Sequence, residues 1–579
     1  MSVRGFRRRH PEQSRRGVVG FLLSLSTSVF VGFPCRFSTF KESRVRRRKR
    51  PFASSRKGVS CTKKKRIKRS DCSRSREQLI RPSLGFIQPL TNSLLFRFVE
   101  MSLATPFKSA SEMLEYIQTH EVQLLDCCFV DPCGLWHHCS MHVSQVDEKA
   151  LREGFAFDGS SIRLFATVAC SDMSMIPDPK TCWIDPFQDH KVLHVTCDIS
   201  DPNGKPLERC PRRIAQRCEA WVTSLGLADA VYIGPEAEFF ILDDVKYKCS
   251  PNKVSYEIDC EEGTWNSDAT LTGPTGSRNL GHRMQHKKWY FPVSPVDKHA
   301  NLRTEMLLTM GDLGLPIEKH HHEVGCCQHE LGFTFRRLVD AADLMMVYKY
   351  VVKNVAQKAG KTATFMPKPM AGDCGSGMHS HQSLWKNGAN LFFDANGSYM
   401  KLSQLALWYI GGLLKHAHAV LAFTNSTTNS YKRLVPGYEA PTKLTYSKGN
   451  RSAAIRIPLC DGDNPKAKRL EFRCPDAAGC PYLCFAAMVM AGVDGIRKKI
   501  EPPPPADCDA AEIDSRVVPS TPSSLSEVLD ALEQDHDFLL EGGVFTKDFI
   551  HAYIEMKRAE VAAVQLTPHP REYELYYHC

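Results

Sequence analysis

The stretch VYIGPEAEFFIL (residues 231–242) alternates with a period of two. Successive side chains of a β-strand point to opposite faces. Val231, Ile233, Ala237, Phe239 and Ile241 therefore share one face, and Glu236 and Glu238 share the other. Three further segments carry the same signature. GMHSHQSLW (377–385) sets His379, His381 and Ser383 on one face. KRLEFRCP (468–475) sets Arg469, Glu471 and Arg473 opposite Leu470 and Phe472, and HHHEV (320–324) sets His321 two before Glu323. A solvated sheet face is normally populated by mixed Lys, Glu, Thr and Ser. Glu/Glu, His/His and Arg/Glu/Arg sets inside apolar strands point instead to an interior polar cavity.

A cavity holding five carboxylates and a histidine is electrostatically costly. Like charges repel and burial disfavours ionisation, so the carboxyl pKa values are expected to rise. Hard divalent cations between the carboxylates relieve this, since Mg2+ or Mn2+ takes oxygen ligands and tolerates an imidazole. Arg433, Arg451, Arg456, Arg469 and Arg473 then fit as phosphate clamps, because a guanidinium pairs bidentately with phosphate oxygens. The combination points to phosphoryl transfer from a nucleotide. Two other motifs fail. AGKTATF (359–365) resembles the end of a P-loop, but the glycine required earlier is Val355. HHHEVGCCQHE (320–330) lacks the second zincin histidine, where Cys326 stands.

The chain has 579 residues, 42% hydrophobic and 24% charged, with a formal net charge of +11. This excludes a collagen, a disulfide-dense mini-scaffold and a mostly disordered chain. The charge is uneven. Residues 1–100 hold 26 Lys and Arg against 5 Asp and Glu, whereas residues 101–579 hold 49 against 59. The body is acidic, which argues against a nucleic-acid partner. The 23 cysteines show no paired knuckles at zinc-finger spacing, and they read as buried, reduced thiols.

Residues 1–100 read as a basic extension, disordered or non-native. RRRKR (46–50) and KKKRIKR (63–69) are self-repelling blocks. The apolar run 17–33 is broken by hydroxyl residues, lacks a small-residue cleavage site and is marginal for a membrane span. Three readings stay open: a start placed before the conventional one at Met101, an organellar targeting peptide on a cytoplasmic protein, and a nucleic-acid-binding tail. No other segment reads as apolar enough to cross a membrane. A helix from Ser111, strands within 121–131 and 191–199, and a helix over 212–225 stopped by Gly226 describe a small α+β domain running into a larger one. The boundaries are placed at 1–100, 101–205 and 206–579. Pro502–Pro505 breaks the chain before a loop over 506–522, and helices resume over 523–535 and 546–563.

Eight motifs then occur in order: FDGSSI (157–162), SDM…PD (171–178), GPEAEFF (234–240), HHHEV…QHE (320–330), KTATFMPKP (361–369), GSGMHSHQSL (375–384), NSYKRLVPGYEAP (429–441) and NRSAAIRIP (450–458). They resemble glutamine synthetase of the bacterial type I, over residues 111–579 and none of 1–100. The resemblance implies an α+β fold: a small β-grasp N-terminal domain plus a larger catalytic domain with a barrel-like antiparallel sheet. It implies ligation of ammonia to glutamate through γ-glutamyl phosphate, with ATP as substrate and two Mg2+ (or Mn2+) ions per site. One metal would sit on Glu238, Glu323 and Glu330, and the second on Glu236, His379 and Glu471. Asp158 matches the ammonium-site aspartate given across a subunit interface, and Glu439 the residue of a closing flap. Arg433, Arg451 and Arg456 match residues on glutamate and transferred phosphate, with Gly375, His379 and Arg473 on the substrate side. His381, Ser383, Arg456, Lys466 and Arg469 match the nucleotide side. Members assemble as two stacked hexameric rings, so a dodecamer with inter-subunit sites is expected, and no membrane partner.

Two departures stand out. The asparagine expected before GSGMH is Cys374, which puts affinity for glutamate's α-amino group in question. No tyrosine lies in residues 500–522, where some bacterial members are adenylylated. The rival readings are a glutamate–amine ligase on the same fold and a non-catalytic relative. An intact DGSS motif favours ammonia over the first, and the complete ligand set argues against the second.

Deleting residues 1–100 is expected to leave assembly and turnover unchanged, because the motif series starts after Ser111. Mass and activity of both chains in one buffer check this. A Met101 form that is monomeric or inactive beside an active full-length oligomer would place the extension in the working enzyme.

Overall fold

The computed structural model describes residues 103, 106–272, 277–459, 464–508 and 513–579. The expectations for residues 1–100 fall outside the described residues. The first helix, α1 (Ala110–Thr119), starts where Ser109 accepts from the Glu112 backbone N–H, while the Glu112 carboxylate accepts from Lys108 N. Its buried side chains, Met113 and Ile117, lie four apart on the face that meets the sheet core. The sheet comprises β1 (Leu124–Val130), β2 (Trp136–His142), β3 (Phe155–Asp158), β4 (Asp172–Pro177), β5 (Trp183–Ile184) and β6 (Val192–Ser200). Its order is β2-β1-β6-β4-β3, with β5 on β6, and only β1–β6 is parallel. With α1 and α2 (Glu148–Glu153) against it, this is the expected β-grasp arrangement.

A helix, α3 (Pro211–Ser224), leads into the second sheet; Gly226 follows at φ +63, a left-handed residue just past the helix end. The second sheet contains β7 (Ala230–Leu242), whose apolar residues Val231, Ile233, Ala237, Phe239 and Ile241 are all buried. The hairpin β8 (Asp244–Ser250) and β9 (Lys253–Asp259) and the short pair β10 (Leu271–Thr272) and β11 (Ser277–Arg278) lie outside it. The remaining strands are β12 (Ile317–His322), β13 (Gln328–Phe333), β14 (Arg336–Arg337), β15 (Thr362–Thr364), β16 (Met378–Lys386), β17 (Ala389–Asn390), β18 (Lys443–Lys448), β19 (Ala453–Ile457) and β20 (Leu470–Phe472). The order β12-β13-β7-β16-β20-β19-β18 curls into a half-barrel, antiparallel throughout except between β18 and β19.

Helices cover the apolar face: α4 (Ala300–Asp312), α5 (Leu338–Lys358), α6 (Gln404–Lys415), α7 (Ala417–Thr424), α8 (Ser430–Arg433) and α9 (Pro481–Lys498). Tyr348 on α5 shows how they dock: its ring is buried and its hydroxyl donates to Ala237 O on β7 at 2.8 Å. Among the described residues no single helix is long and apolar enough to cross a membrane. The bent pair α6–α7 together is, which the sequence reading missed; most of its side chains are buried in this core.

The reading of all cysteines as reduced thiols is corrected at one place. Cys260, just after β9, and Cys327, in the turn between β12 and β13, form a disulfide across 67 residues. No spacing pattern marks this pair, because tertiary folding alone brings the two turns together. The remaining described cysteines are free, most of them buried.

Arg212 on α3 ties the two sheets together. Its guanidinium reaches Asp178 (2.7 Å) and Asp198 (3.0 Å) of the first sheet region and Asp343 (3.0 Å) on α5. Arg212→Ala is expected to lower stability by about 3 kcal/mol, because it strands three carboxylates around an emptied buried position. Calorimetry against Arg212→Lys checks this; an unchanged melting temperature in the alanine variant would show the tie to be unimportant.

Candidate active site

The polar face of β7 becomes one row of an array. Pairing of β13 with β7 sets Glu330 beside Glu238, and pairing of β7 with β16 sets Glu236 beside His379. Pairing of β16 with β20 sets His381 beside Glu471, and β20 with β19 sets Glu471 beside Arg456. Directly opposed residues point to the same face. Five strands thus project one continuous polar row into a cavity of about 650 Å³.

Two groups of donors converge there. Glu236, His379 and Glu471 form one; His321, Glu323 and Glu330 form the other, with ligand atoms within 4.8 Å of one another in each. His379 stands between them. Its Nδ1 lies 3.8 Å from Glu236 and 3.9 Å from Glu471, and its Nε2 lies 3.9 Å from Glu238 Oε1. Glu238 is oriented through its other oxygen, which accepts from Gln328 Nε2 (2.7 Å) and Gly377 N (3.0 Å). His381 is oriented too. Arg469 Nε donates to its Nδ1 at 3.2 Å, which leaves the Nε2 proton facing Glu236 Oε1, also at 3.2 Å.

The expected upward shift of the carboxyls holds for one and is corrected for two. Glu323 is raised well above the usual range by burial and by the charges of Glu238 and Glu330. Burial would also raise Glu471, but His381, Arg473, His379 and Arg456 hold it down at about 2. Arg456 bonds one of its oxygens, and Arg473 the other at 2.5 Å. Glu236 is likewise driven well below the usual range, against its burial, by hydrogen bonding to His379 and His381. Repulsion among carboxylates was legible from sequence; the arginines placed against Glu471 and the imidazoles against Glu236 were not.

The arginines take up different posts. Arg433 is buried and braced by Cys474 O (2.7 Å) and Arg473 O (3.1 Å). Gly375 packs on it so closely that a Cβ there would meet Pro367 O at 2.5 Å and the Arg433 side chain at 3.2 Å. Arg451 and Glu439 line the cavity wall. Glu439 adopts a left-handed backbone at φ +61, a strained conformation for a non-glycine residue. Ser383 and Lys466 lie in an adjoining cavity of about 280 Å³, which shares Glu236, His381 and Arg469 with the first. Asp158 lies in the exposed turn after β3 and lines neither cavity of its own chain. Its carboxylate accepts from the Ser160 and Ser161 hydroxyls at 2.6 and 2.7 Å. Cys374 lines the main cavity as a neutral thiol, its pKa pushed up to about 12 by burial.

Several lining residues were not singled out from the sequence: Lys287, Lys319, Gln328 and Tyr438, and His321 as a donor. His321 carried a signal, its spacing of two from Glu323. Tyr438 carried one too, standing beside Glu439 in NSYKRLVPGYEAP, whereas Lys287 carried none, since it reaches the cavity from a loop remote in sequence from the motifs. As a test of metal fit, the donor set of oxygens and imidazoles inside a walled, carboxylate-rich cavity suits hard divalent cations.

Comparison with known proteins agrees with this geometry. The family description "Glutamine synthetase, catalytic domain" matches residues 208–576, and "Glutamine synthetase, beta-Grasp domain" matches residues 121–202. The glutamine synthetase of Nostoc sp. is 54% identical over 472 residues, covering 80% of this chain and 98% of that protein. The cryo-EM structure of Plasmodium falciparum glutamine synthetase superposes with a TM-score of 0.77 at 32% identity, covering 82% of this chain and all of that one. A structure of GmaS in complex with ADP gives 0.67 at 28% identity, covering 80% and 99%.

The raised Glu323 predicts that divalent-cation binding to the metal-free protein releases protons. With its pKa raised, the carboxyl competes for a proton against an incoming cation, so affinity rises with pH until Glu323 ionises unaided. Calorimetry in buffers of differing ionisation heat measures the release. A proton-independent binding enthalpy together with a flat pH profile would contradict the assignment.

Proposed function

Because the chain belongs to the glutamine synthetase family and is a glutamate–ammonia ligase, we propose that it makes glutamine in two steps within this cavity. The glutamate γ-carboxylate oxygen attacks the γ-phosphorus of ATP, the bond to ADP breaks, and γ-glutamyl phosphate forms. Ammonia nitrogen then attacks the acyl carbon and inorganic phosphate leaves. The observation that carries this reading is the polar row across five strands, closed by Arg456 and Arg473 on Glu471.

In this reading Glu238, Glu323 and Glu330 hold one divalent cation, with His321 beside them, and Glu236, His379 and Glu471 hold the other. Bound there, two Mg2+ or Mn2+ ions would supply the positive charge that draws the carboxylate and phosphate oxygens together. The chain's own groups do the remaining work. Arg433, Arg451 and Arg456 bind the substrate carboxylates and the transferred phosphoryl oxygens, with Arg473 beside them. The adjoining cavity with Ser383, Lys466 and Arg469 receives the nucleotide. The similar GmaS structure is an ADP complex, which supports nucleotide binding by this fold. Glu439 and its neighbours exclude water, which would otherwise hydrolyse the acyl phosphate. Asp158 is exposed and lines neither cavity of its own chain, which fits a role at a neighbouring subunit's site, where its low-pKa carboxylate attracts ammonium and takes its proton. A dodecamer of two hexameric rings in the cytoplasm would complete the sites.

The deciding experiment measures γ-glutamyl product with ammonium against methylamine and putrescine. Turnover with ammonium exceeding that with either amine by orders of magnitude supports the proposal; the reverse ranking would make the enzyme an amine ligase. Glu471→Ala is expected to lower turnover by at least about 10²-fold, since it removes a cation ligand and unpairs two arginines. Wild-type turnover at saturating Mg2+ in that variant would sink the ligand assignment.

A further inference from the structure

The segment 437–440 crosses the cavity mouth with little regular structure to hold it. Gly437 and Glu439 both have left-handed backbones, at φ +87 and φ +61, and Glu439 is exposed. Its own backbone preferences therefore do not hold this segment in place. What stands against it is a pair of lysines. Lys287 Nζ lies 3.9 Å from the centroid of the Tyr438 ring, and Lys368 Nζ lies 4.0 Å from the same centroid. Lys287 Nζ also donates to Gly437 O at 2.8 Å.

Both lysines come from braced loops, and both braces meet at buried Asp373. His286, next to Lys287, bonds the Asp373 carboxylate at 3.0 Å, and Lys368 Nζ donates to Asp373 O. The Lys368 backbone is fixed on its other side by Asn429, which accepts from its N–H at 2.7 Å and donates to its C=O at 3.1 Å. The two ammonium groups are thus presented on a rigid frame, and the aromatic ring is the part of the mobile-prone segment that meets them. An ammonium over a ring face is attracted by the negative face of the π-system, an attraction that an aliphatic side chain of similar size cannot supply.

We propose that Tyr438 is a positioning residue: its ring, gripped by Lys287 and Lys368, latches segment 437–440 over the cavity and so sets Glu439 in place. This rests on the reading that Glu439 closes the site. The ring acts through its π-face and its hydroxyl is dispensable. Loosening the latch opens the cavity to water while the acyl phosphate waits for ammonia, so phosphate is lost without glutamine being made.

The test uses the full chain with Tyr438→Phe, Tyr438→Leu and Lys287→Met. Hydrogen–deuterium exchange of the peptide spanning 434–441 reads the latch directly. The leucine variant is expected to exchange roughly tenfold faster than wild type, from loss of both cation–π contacts. The methionine variant should exchange several-fold faster and the phenylalanine variant at the wild-type rate. Phosphate released per glutamine formed, at subsaturating ammonium, should stay near wild type in Tyr438→Phe and rise in Tyr438→Leu. Wild-type exchange in Tyr438→Leu, or a phenylalanine variant as loose as the leucine one, overturns the latch. A wild-type chain that makes no glutamine yet shows the expected exchange pattern supports the latch and removes the functional reading instead.

Discussion

Carboxylates set side by side on paired strands repel one another, and the structure is organised around countering that repulsion. Glu238 and Glu330 are direct cross-strand partners, a like-charge arrangement that sheets ordinarily avoid. Glu471 tolerates full burial because two arginines and two histidines surround it. Glu236 is stabilised in the same way by His379 and His381. Glu323 has only His321 and the Val324 N–H beside it, no arginine, and its carboxyl stays well above the usual range. The cavity is therefore graded: one side is charged and balanced by the protein itself, and the other is short of positive charge.

The rest of the molecule holds this arrangement still. The apolar face of β7 is pinned beneath α5, with Tyr348 bonded to the strand backbone between Glu236 and Glu238. Movement of that strand would shift both carboxylates at once. Close approaches complete the frame: Gly375 leaves room for Arg433, whose guanidinium is anchored by three backbone carbonyls and thereby fixed in direction, with two N–H donors left over. Arg212 locks the β-grasp sheet against α5. The first sheet carries Asp158 on its edge strand β3, so the same lock fixes that exposed carboxylate relative to α5.

The cysteines illustrate how environment outweighs residue type. Cys374 stands in the active cavity, yet burial keeps it a neutral thiol with little nucleophilic character. Cys260 and Cys327 sit in two turns and are joined. The turn containing Cys327 separates Glu323 from Glu330, so the disulfide braces the loop that sets the spacing of those two carboxylates.

The alternation in VYIGPEAEFFIL, GMHSHQSLW and KRLEFRCP was enough to identify strands, their apolar faces and the polar residues that share a side, because a period of two is a local property of extended backbone. The ordered motifs were enough to identify the family, and so the chemistry. Neither could say that Glu471 would lie between Arg456 and Arg473, that Arg469 would fix the tautomer of His381, or that Lys287 and Lys368 would meet on one aromatic ring. Those juxtapositions join residues from 2 to 151 positions apart through strand register and loop closure. The sign of a buried carboxyl's shift depends on which cation stands within a few ångströms of it. That distance is set by the packed fold, and no local pattern in the chain encodes it.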